Sequence, residues 1–96
     1  MTVSITNKVS QVTTDCVYRI ATGAWPAGSK LPSLRQGTAI WGVDALTVKR
    51  AYEVLETKGL VEIAPRSGVY VRDNASVVGL RKNLAQLEAL YASVRS

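Results

Sequence analysis

The sequence contains no histidine and a single cysteine, Cys16. Zinc sites built from Cys and His need several such ligands, and an intramolecular disulfide needs two cysteines. Catalytic triads that contain histidine, and histidine general bases, need the missing imidazole. The composition therefore excludes these metal sites, these mechanisms and an internal disulfide. Because Cys16 lies within an apolar helical pattern, we expect a buried structural thiol rather than a reactive one.

Long apolar runs and acidic residues are also scarce. No stretch of about 18 apolar residues occurs, and the first ten residues lack the basic-then-apolar design of a signal peptide. We therefore expect a cytoplasmic protein. Seven acidic residues stand against twelve Lys and Arg, which gives a net charge of +5. This balance favours an anionic partner such as nucleic acid, and less often a membrane surface.

Helical periodicity, together with helix start and stop signals, predicts three helices in the first 60 residues, at about 8–23, 34–41 and 45–58. Ser33, with Gln36 three residues later, forms a capping-box pattern at the start of the second helix. A glycine follows or closes each of the three segments, as is typical of helix C-termini. Two short helices that meet across a few residues are typical of a helix-turn-helix.

The third helix carries an apolar stripe. Asp44 directly precedes this helix and can act as its N-cap. The residues of the stripe are Val48, Ala51, Tyr52 and Leu55. We also expect Tyr18, Trp25 and Trp41 at core positions, which argues against a role in stacking on single-stranded bases.

The pattern then changes from helical to extended. Residues 60–64 predict a strand, Pro-Arg-Ser-Gly at 65–68 predicts a turn, and residues 69–72 predict the returning strand. A β-hairpin that follows a helix-turn-helix is the wing of a winged helix. We therefore predict an α+β fold, mostly α, in which three helices and a two-stranded β wing form a domain at 1–73.

A last helix is predicted in a C-terminal unit at 74–96, with Asn74 or Ser76 as its cap. Its apolar residues are spaced alternately three and four apart, which is the a/d pattern of a coiled coil. This stripe either packs on its own domain or forms a dimer seam. We favour the seam, because the preceding elements already supply a winged-helix core. The predicted dimerisation residues are Val77, Leu80, Leu84, Leu87, Tyr91 and Val94.

Several segments carry spaced motifs: GAWPAGSKLPSLR at 23–35, GV at 42–43, TVKRAY at 47–52, LETKGLV at 55–61 and GVYV at 68–71. In this order they resemble the N-terminal DNA-binding domain of the GntR family of bacterial regulators. The first segment is similar to the family's G-x-W-x-x-G-x-x-L-P-S-x-R motif, and the others to its turn, recognition helix, helix exit and wing. The resemblance covers about residues 8 to 72.

The resemblance implies a dimeric regulator whose second helix, third helix and wing contact operator DNA. Most members of the family carry a large C-terminal domain for a metabolite, or an aminotransferase-like domain. The residues after the wing are too few for either, and are similar to the helical dimerisation tail of short members. We therefore expect no dedicated pocket for a small-molecule effector.

The chain departs from the family's pattern at Gly37, at the pair Asp44-Ala45 and at Arg66. Gly37 stands where a core leucine is usual, and we expect Trp41 or Trp25 to fill the space. Asp44-Ala45 stands where Ser-Arg is common, which removes an arginine that reaches DNA in relatives. Arg66 stands at the wing tip where a first glycine is common. The expected sequence preference therefore differs from that of typical members.

Duplex binding needs cations at phosphates and polar side chains at base edges. The guanidinium of Arg35 suits phosphate or guanine. Thr47 is predicted to contact phosphate and Lys49 either phosphate or base, while Arg50 either joins this surface or points elsewhere. For Asp44 we favour the N-cap role over a contact with cytosine N4.

The wing tip has two interpretations. Arg66 either enters the minor groove or contacts the backbone, and Ser67 and the Gly68 backbone donate to phosphate. Alternatively, the tip is an ordinary polar turn. The predicted DNA-binding residues are Ser33, Arg35, Asp44, Ala45, Thr47, Lys49, Arg50, Arg66, Ser67 and Gly68.

Paired catalytic carboxylates, a phosphate-binding glycine loop and a metal cluster are absent from the sequence, so we expect a non-enzyme without cofactor or metal. The predicted function is a sequence-specific transcriptional regulator of double-stranded DNA, expected to be a repressor that acts as a homodimer on a pseudo-palindromic operator. The alternative is a protein-interaction module on a winged-helix scaffold whose DNA binding is weak or lost.

Overall fold

The computed structural model describes residues 8–95, apart from the side chains of Ala75, Leu87, Glu88 and residues 90–95. The elements follow the predicted order. They are α1 (Lys8–Thr22), α2 (Leu34–Trp41), α3 (Ala45–Thr57), β1 (Val61–Ala64), β2 (Gly68–Val71) and α4 (Ala75–Arg95). The prediction of a mostly helical winged helix-turn-helix is confirmed, with α2 and α3 as the helix pair and β1 and β2 as the wing.

Local side-chain chemistry fixes the start and end of α2. The Ser33 hydroxyl accepts from the Gln36 N–H at 3.1 Å, and the Gln36 side chain accepts from the Ser33 N–H at 2.9 Å. At the other end, Gly42 adopts a left-handed φ of 64° and donates its N–H to the Thr38 carbonyl. The predicted capping box and glycine stop are therefore confirmed, and they set the short turn into α3.

A third segment pairs with the two strands of the wing, and the sequence did not predict it. β1 and β2 pair antiparallel, with Val61 opposite Val71. Residues 28–31 run along the other edge of β2, where the N–H groups of Gly28 and Leu31 each donate to a β2 carbonyl at 2.8 Å. Both edges of β2 are thus hydrogen-bonded, which holds the base of the wing against the helices.

Apolar side chains from α1, α3, the wing and the start of α4 meet in one core. The four predicted residues of the α3 stripe are all buried, and Cys16 is fully buried as predicted. Burial raises the pKa of the Cys16 thiol to about 12, and the charge of Asp15 adds to this shift. The thiol is therefore protonated at neutral pH and unsuited to nucleophilic chemistry. The core comprises Val12, Cys16, Ile20, Leu31, Val48, Ala51, Tyr52, Leu55, Leu60, Val61, Val71 and Val77.

A chain of aromatic contacts holds α2, of which only Gly37 is buried. The Trp41 indole N–H donates to the Asp15 carboxylate at 2.8 Å. The Trp41 ring is nearly perpendicular to the rings of Trp25 and Tyr52, at centroid distances of 6.5 and 6.4 Å. The Tyr52 hydroxyl donates to the Pro32 carbonyl at 2.7 Å. These contacts connect α1, the loop before α2, α2 and α3, and so fix the angle between the two helices of the motif.

Asp15 is also the carboxylate of an ion pair with Arg19, at 2.7 Å. Burial by itself would raise the pKa of Asp15, but hydrogen bonds from Trp41 and Arg19 outweigh it and hold the pKa below its usual value. The carboxylate therefore stays charged at neutral pH as the acceptor for both partners.

The prediction that Tyr18 lies in the core is wrong, because 57% of its surface is exposed.

The first two turns of α4 are attached to the winged helix. Asn74 is the cap: its side chain accepts from the Val77 N–H at 3.1 Å and donates to the Gly59 carbonyl at 3.0 Å. The Arg81 guanidinium donates to the carbonyls of Ile20 and Trp25. These hydrogen bonds fix the direction in which α4 leaves the winged helix.

The predicted dimer stripe on α4 is divided by this attachment. Val77 is 1% exposed within the core, and Leu80 packs against it, so both contact their own domain. Leu84 is half-buried. The side chains of Leu87, Tyr91 and Val94 lie outside the described residues.

Candidate nucleic-acid interface

The N-terminal half of α3 turns a solvent-exposed face away from the core. Val48 is fully buried, and Leu46, two residues earlier, lies about 200° around the helix from it. Leu46 is accordingly 54% exposed. Ala45, Lys49 and Arg50 are exposed as well, so the first two turns present two apolar and two cationic side chains to solvent.

A cleft of about 420 Å³ lies between the middle of α3 and the wing. Lys49 lines it from α3 and Arg66 from the wing, while Lys30 approaches from the segment that pairs with β2. Its lining also includes Ser33 and Glu53. Three cations from three separate segments, against the one anion Glu53, therefore line one opening, which leaves it with an excess of positive charge.

The wing tip is a tight turn with Arg66 at its apex. The Ser67 N–H donates to the Ala64 carbonyl at 3.0 Å, and Arg66 has a φ of 67°. Pro65 before it and the positive φ at Arg66 are typical of a type II turn, whose third residue is normally glycine or asparagine. Arg66 thus holds an exposed guanidinium at the apex in a strained backbone conformation. The Ser67 hydroxyl shares a hydrogen bond of 2.7 Å with the Tyr70 hydroxyl.

Lys30 is a basic residue of the site that sequence analysis missed. Its side chain passes over Gly68: a Cβ added to Gly68 would lie 2.5 Å from the Lys30 Cε. Gly68 therefore makes room for this lysine, and its φ of 143° also disfavours any other residue. The sequence did predict extended backbone before Pro32. However, the pairing of that segment with the wing is a contact between distant parts of the chain and has no local signal.

Asp44 is placed as the predicted N-cap of α3, where its carboxylate accepts from the Thr47 N–H at 2.8 Å. Hydrogen bonds from Thr47 hold the pKa of Asp44 below its ordinary value, and the charges of Lys8 and Arg50 lower it further. Lys8, the first residue of α1, is a second cation that sequence analysis missed. Asp44 is therefore an anion with a structural role, and its charge is offset by two neighbouring cations.

In the structure, most of the predicted residues fall into two groups, one in the lining of the cleft and one at the start of α3. Arg35 belongs to neither group and is exposed in the first turn of α2. Thr47 is half-buried behind the Asp44 cap. The cleft group comprises Ser33, Lys49, Arg66, Ser67 and Gly68, and the group at the start of α3 comprises Asp44, Ala45, Thr47 and Arg50.

Among the residues that the structure describes, no group of three or more His, Cys, Asp or Glu side chains could hold a metal ion. No helix within residues 8–95 is long and apolar enough to cross a membrane.

Relatives of the chain are named as regulators of transcription. It is 40% identical over 68 residues to the uncharacterized HTH-type transcriptional regulator YdcR of Escherichia coli, an alignment that covers 71% of this chain and 14% of YdcR. It is 33% identical over 81 residues to the HTH-type transcriptional repressor YtrA of Bacillus subtilis, covering 75% of this chain and 62% of YtrA. The chain therefore spans less than two thirds of either relative.

The fold has close counterparts among solved structures. A GntR family transcriptional regulator from Listeria monocytogenes superimposes with a TM-score of 0.73 at 29% identity, covering 88% of this chain and 76% of that protein. The model of the bacterial regulatory proteins of the gntR family matches residues 8–71, which contain α1, α2, α3 and the wing. The chain therefore belongs to the GntR family of bacterial regulatory proteins.

Proposed function

We propose that the chain is a sequence-specific transcriptional regulator that binds double-stranded DNA. The observation that carries this proposal is the cleft between α3 and the wing, where Lys30, Lys49 and Arg66 converge from three segments. An exposed helix N-terminus beside such a cleft suits the major groove, which admits one α-helix. Membership of the GntR family, and the names of the relatives, support a regulatory role over an enzymatic one.

The contacts divide into two kinds. Lys30, Arg66 and the wing backbone are suited to phosphates, where cations provide affinity without reading sequence. Ala45 and Leu46 lie on the first turn of α3, where helix-turn-helix proteins contact base edges, while Lys49 on the next turn is suited to a phosphate. Phosphate contacts thus position α3, and the start of α3 supplies the specificity.

We propose further that the regulator is a homodimer and acts as a repressor. The heptad stripe continues along α4 beyond Arg81, and α4 has 21 residues, a length of about 30 Å. The anchored first turns fix the direction of the remainder, which suits a seam that sets the spacing of two half-sites. The relative YtrA is named as a repressor, which supports that direction of control.

The double substitution Leu84→Gln/Leu87→Gln is expected to yield a monomer that binds DNA about a hundredfold more weakly, because the second half-site no longer benefits from tethering. Analytical ultracentrifugation and fluorescence anisotropy measure the two effects. Gln86→Leu, at an exposed position of the same helix, serves as the control and should remain dimeric. If the double variant is still a dimer, the seam lies elsewhere.

Selection of bound duplexes from a random-sequence pool at about 150 mM salt tests the proposed function, because binding by charge alone is weak at that salt. We expect a two-fold symmetric motif. Failure to recover any motif, together with loss of duplex binding, would overturn the proposal and favour a protein-interaction role for this winged helix.

Substitution of Lys49 then locates the binding surface. Lys49→Ala is expected to weaken binding of the selected duplex about tenfold and to reduce the slope of log affinity against log salt by about one. Lys58→Ala is the matched control, because Lys58 lies at the far end of α3 beside the groove between α1 and α3. Anisotropy titrations should show the control within about twofold of wild type. Equal effects of the two substitutions would contradict the assigned face.

A further inference from the structure

The side chain of Leu46 stands out on α3. It is a large apolar group with 54% of its surface exposed, on the first turn of the helix that we propose enters the major groove. It lies about 200° from the fully buried Val48, so it cannot turn inward to join the core. Ala45 beside it is exposed and carries only a methyl group.

The polar groups near Leu46 either form hydrogen bonds within the protein already or lie one helical turn away. The Asp44 carboxylate accepts the Thr47 N–H, and Thr47 itself is half-buried. Lys49 and Arg50 follow on the next turn, where long cationic side chains can reach phosphates on either side of a groove. The part of α3 that leads into the groove therefore offers base edges an apolar surface between cations.

Only one ordinary base presents an apolar group in the major groove. Thymine carries a C5-methyl there, whereas the edges of the other bases present hydrogen-bond donors and acceptors. An apolar side chain pressed against those polar edges would leave them without partners, at a cost in free energy. Contact with a methyl group instead removes apolar surface of both partners from water.

We propose that Leu46, with Ala45 beside it, selects thymine in the half-site through contact with the C5-methyl group. This inference rests on the proposed function, since it names a base that the regulator reads. It also gives a role to the exposed methyl group of Ala45, since the start of α3 then reads a methyl group in place of a hydrogen-bonded base edge.

The test replaces thymine by uracil, which removes the methyl group and leaves the pairing unchanged. Each thymine of the selected duplex is replaced in turn by deoxyuridine, and binding of the full chain is measured by anisotropy. At one or two adjacent positions of each half-site we expect affinity to fall about three- to fivefold, the effect of losing one buried methyl group. At the same position, 5-methylcytosine should bind better than cytosine.

Two variants assign the effect to Leu46. The Leu46→Ala variant should bind the duplex with thymine and the duplex with uracil at that position with equal affinity. Val54→Ala, which shortens another exposed apolar residue of α3, should retain the loss on uracil substitution. Thermal unfolding of both variants checks that the fold is intact, as expected for exposed positions.

The outcomes separate this inference from the proposed function. If no motif is selected, the proposed function is wrong, and the inference that rests on it fails with it. If a motif is selected but no thymine responds to loss of its methyl group, the function stands and the inference is overturned. A response that persists in Leu46→Ala also overturns it, because another side chain then makes the contact.

Discussion

Arg66→Gly is expected to bind the selected duplex about tenfold more weakly while its free energy of unfolding rises by about 1 kcal/mol. The two effects have different origins. The guanidinium at the wing apex supplies a phosphate or minor-groove contact. The backbone beneath it has a φ of 67°, a conformation that costs a non-glycine residue about 1 kcal/mol and that glycine adopts without strain.

Arg66→Ala separates the two effects, because alanine removes the cation and keeps the strain. It should bind as weakly as Arg66→Gly while its stability stays close to wild type. Urea unfolding and anisotropy titrations measure the two quantities on the same preparations. Unchanged affinity in both variants would show that the wing tip does not contact DNA, and equal stabilities would show that the apex is unstrained.

Gly37→Ala is expected to lower the free energy of unfolding by about 1 kcal/mol, although alanine is the better helix former. A Cβ at this position would lie 2.8 Å from Val48 Cγ1 and 2.9 Å from Trp41 Cζ3. Val48 is fully buried, and Trp41 is held by its hydrogen bond to Asp15. Overpacking of this kind costs about 1–3 kcal/mol, which exceeds the gain of about 1 kcal/mol in helix propensity.

Gly79 provides the matched control, since nothing lies within 4 Å of a Cβ placed there on α4. Gly79→Ala should therefore raise the free energy of unfolding by up to about 1 kcal/mol. Urea midpoints at constant m-value compare the two variants. If both alanines stabilise the protein to the same extent, α2 is not packed against α3 and Trp41 as described.

Features encoded within a few residues were predicted correctly from the sequence. The capping box of Ser33 and Gln36, the Asp44 cap and the glycine stop at Gly42 each depend on side chains close in sequence to the backbone they satisfy. The sequence also predicts that Trp41 or Trp25 fills the space beside Gly37. In the structure, the side chains of Trp41 and Val48 occupy this space.

Features that depend on distant contacts were missed. The pairing of residues 28–31 with β2 brings Lys30 to the cleft, and no local pattern encodes it. The assumption that the first three helices and the wing complete the core was also wrong, because Val77 of α4 is part of it. Tyr18 is different: it lies two positions along α1 from each of the buried Cys16 and Ile20, about 200° around the helix from them, so helical geometry alone predicts an exposed position.

The affinity of the wild-type chain for its selected duplex, relative to a shuffled duplex of the same composition, tests the central claim most directly. At about 150 mM salt a sequence-specific regulator is expected to favour the selected duplex by a factor of about 10³ or more. A ratio near one would contradict the account, because cations around the cleft would then attract duplexes without the start of α3 reading their sequence.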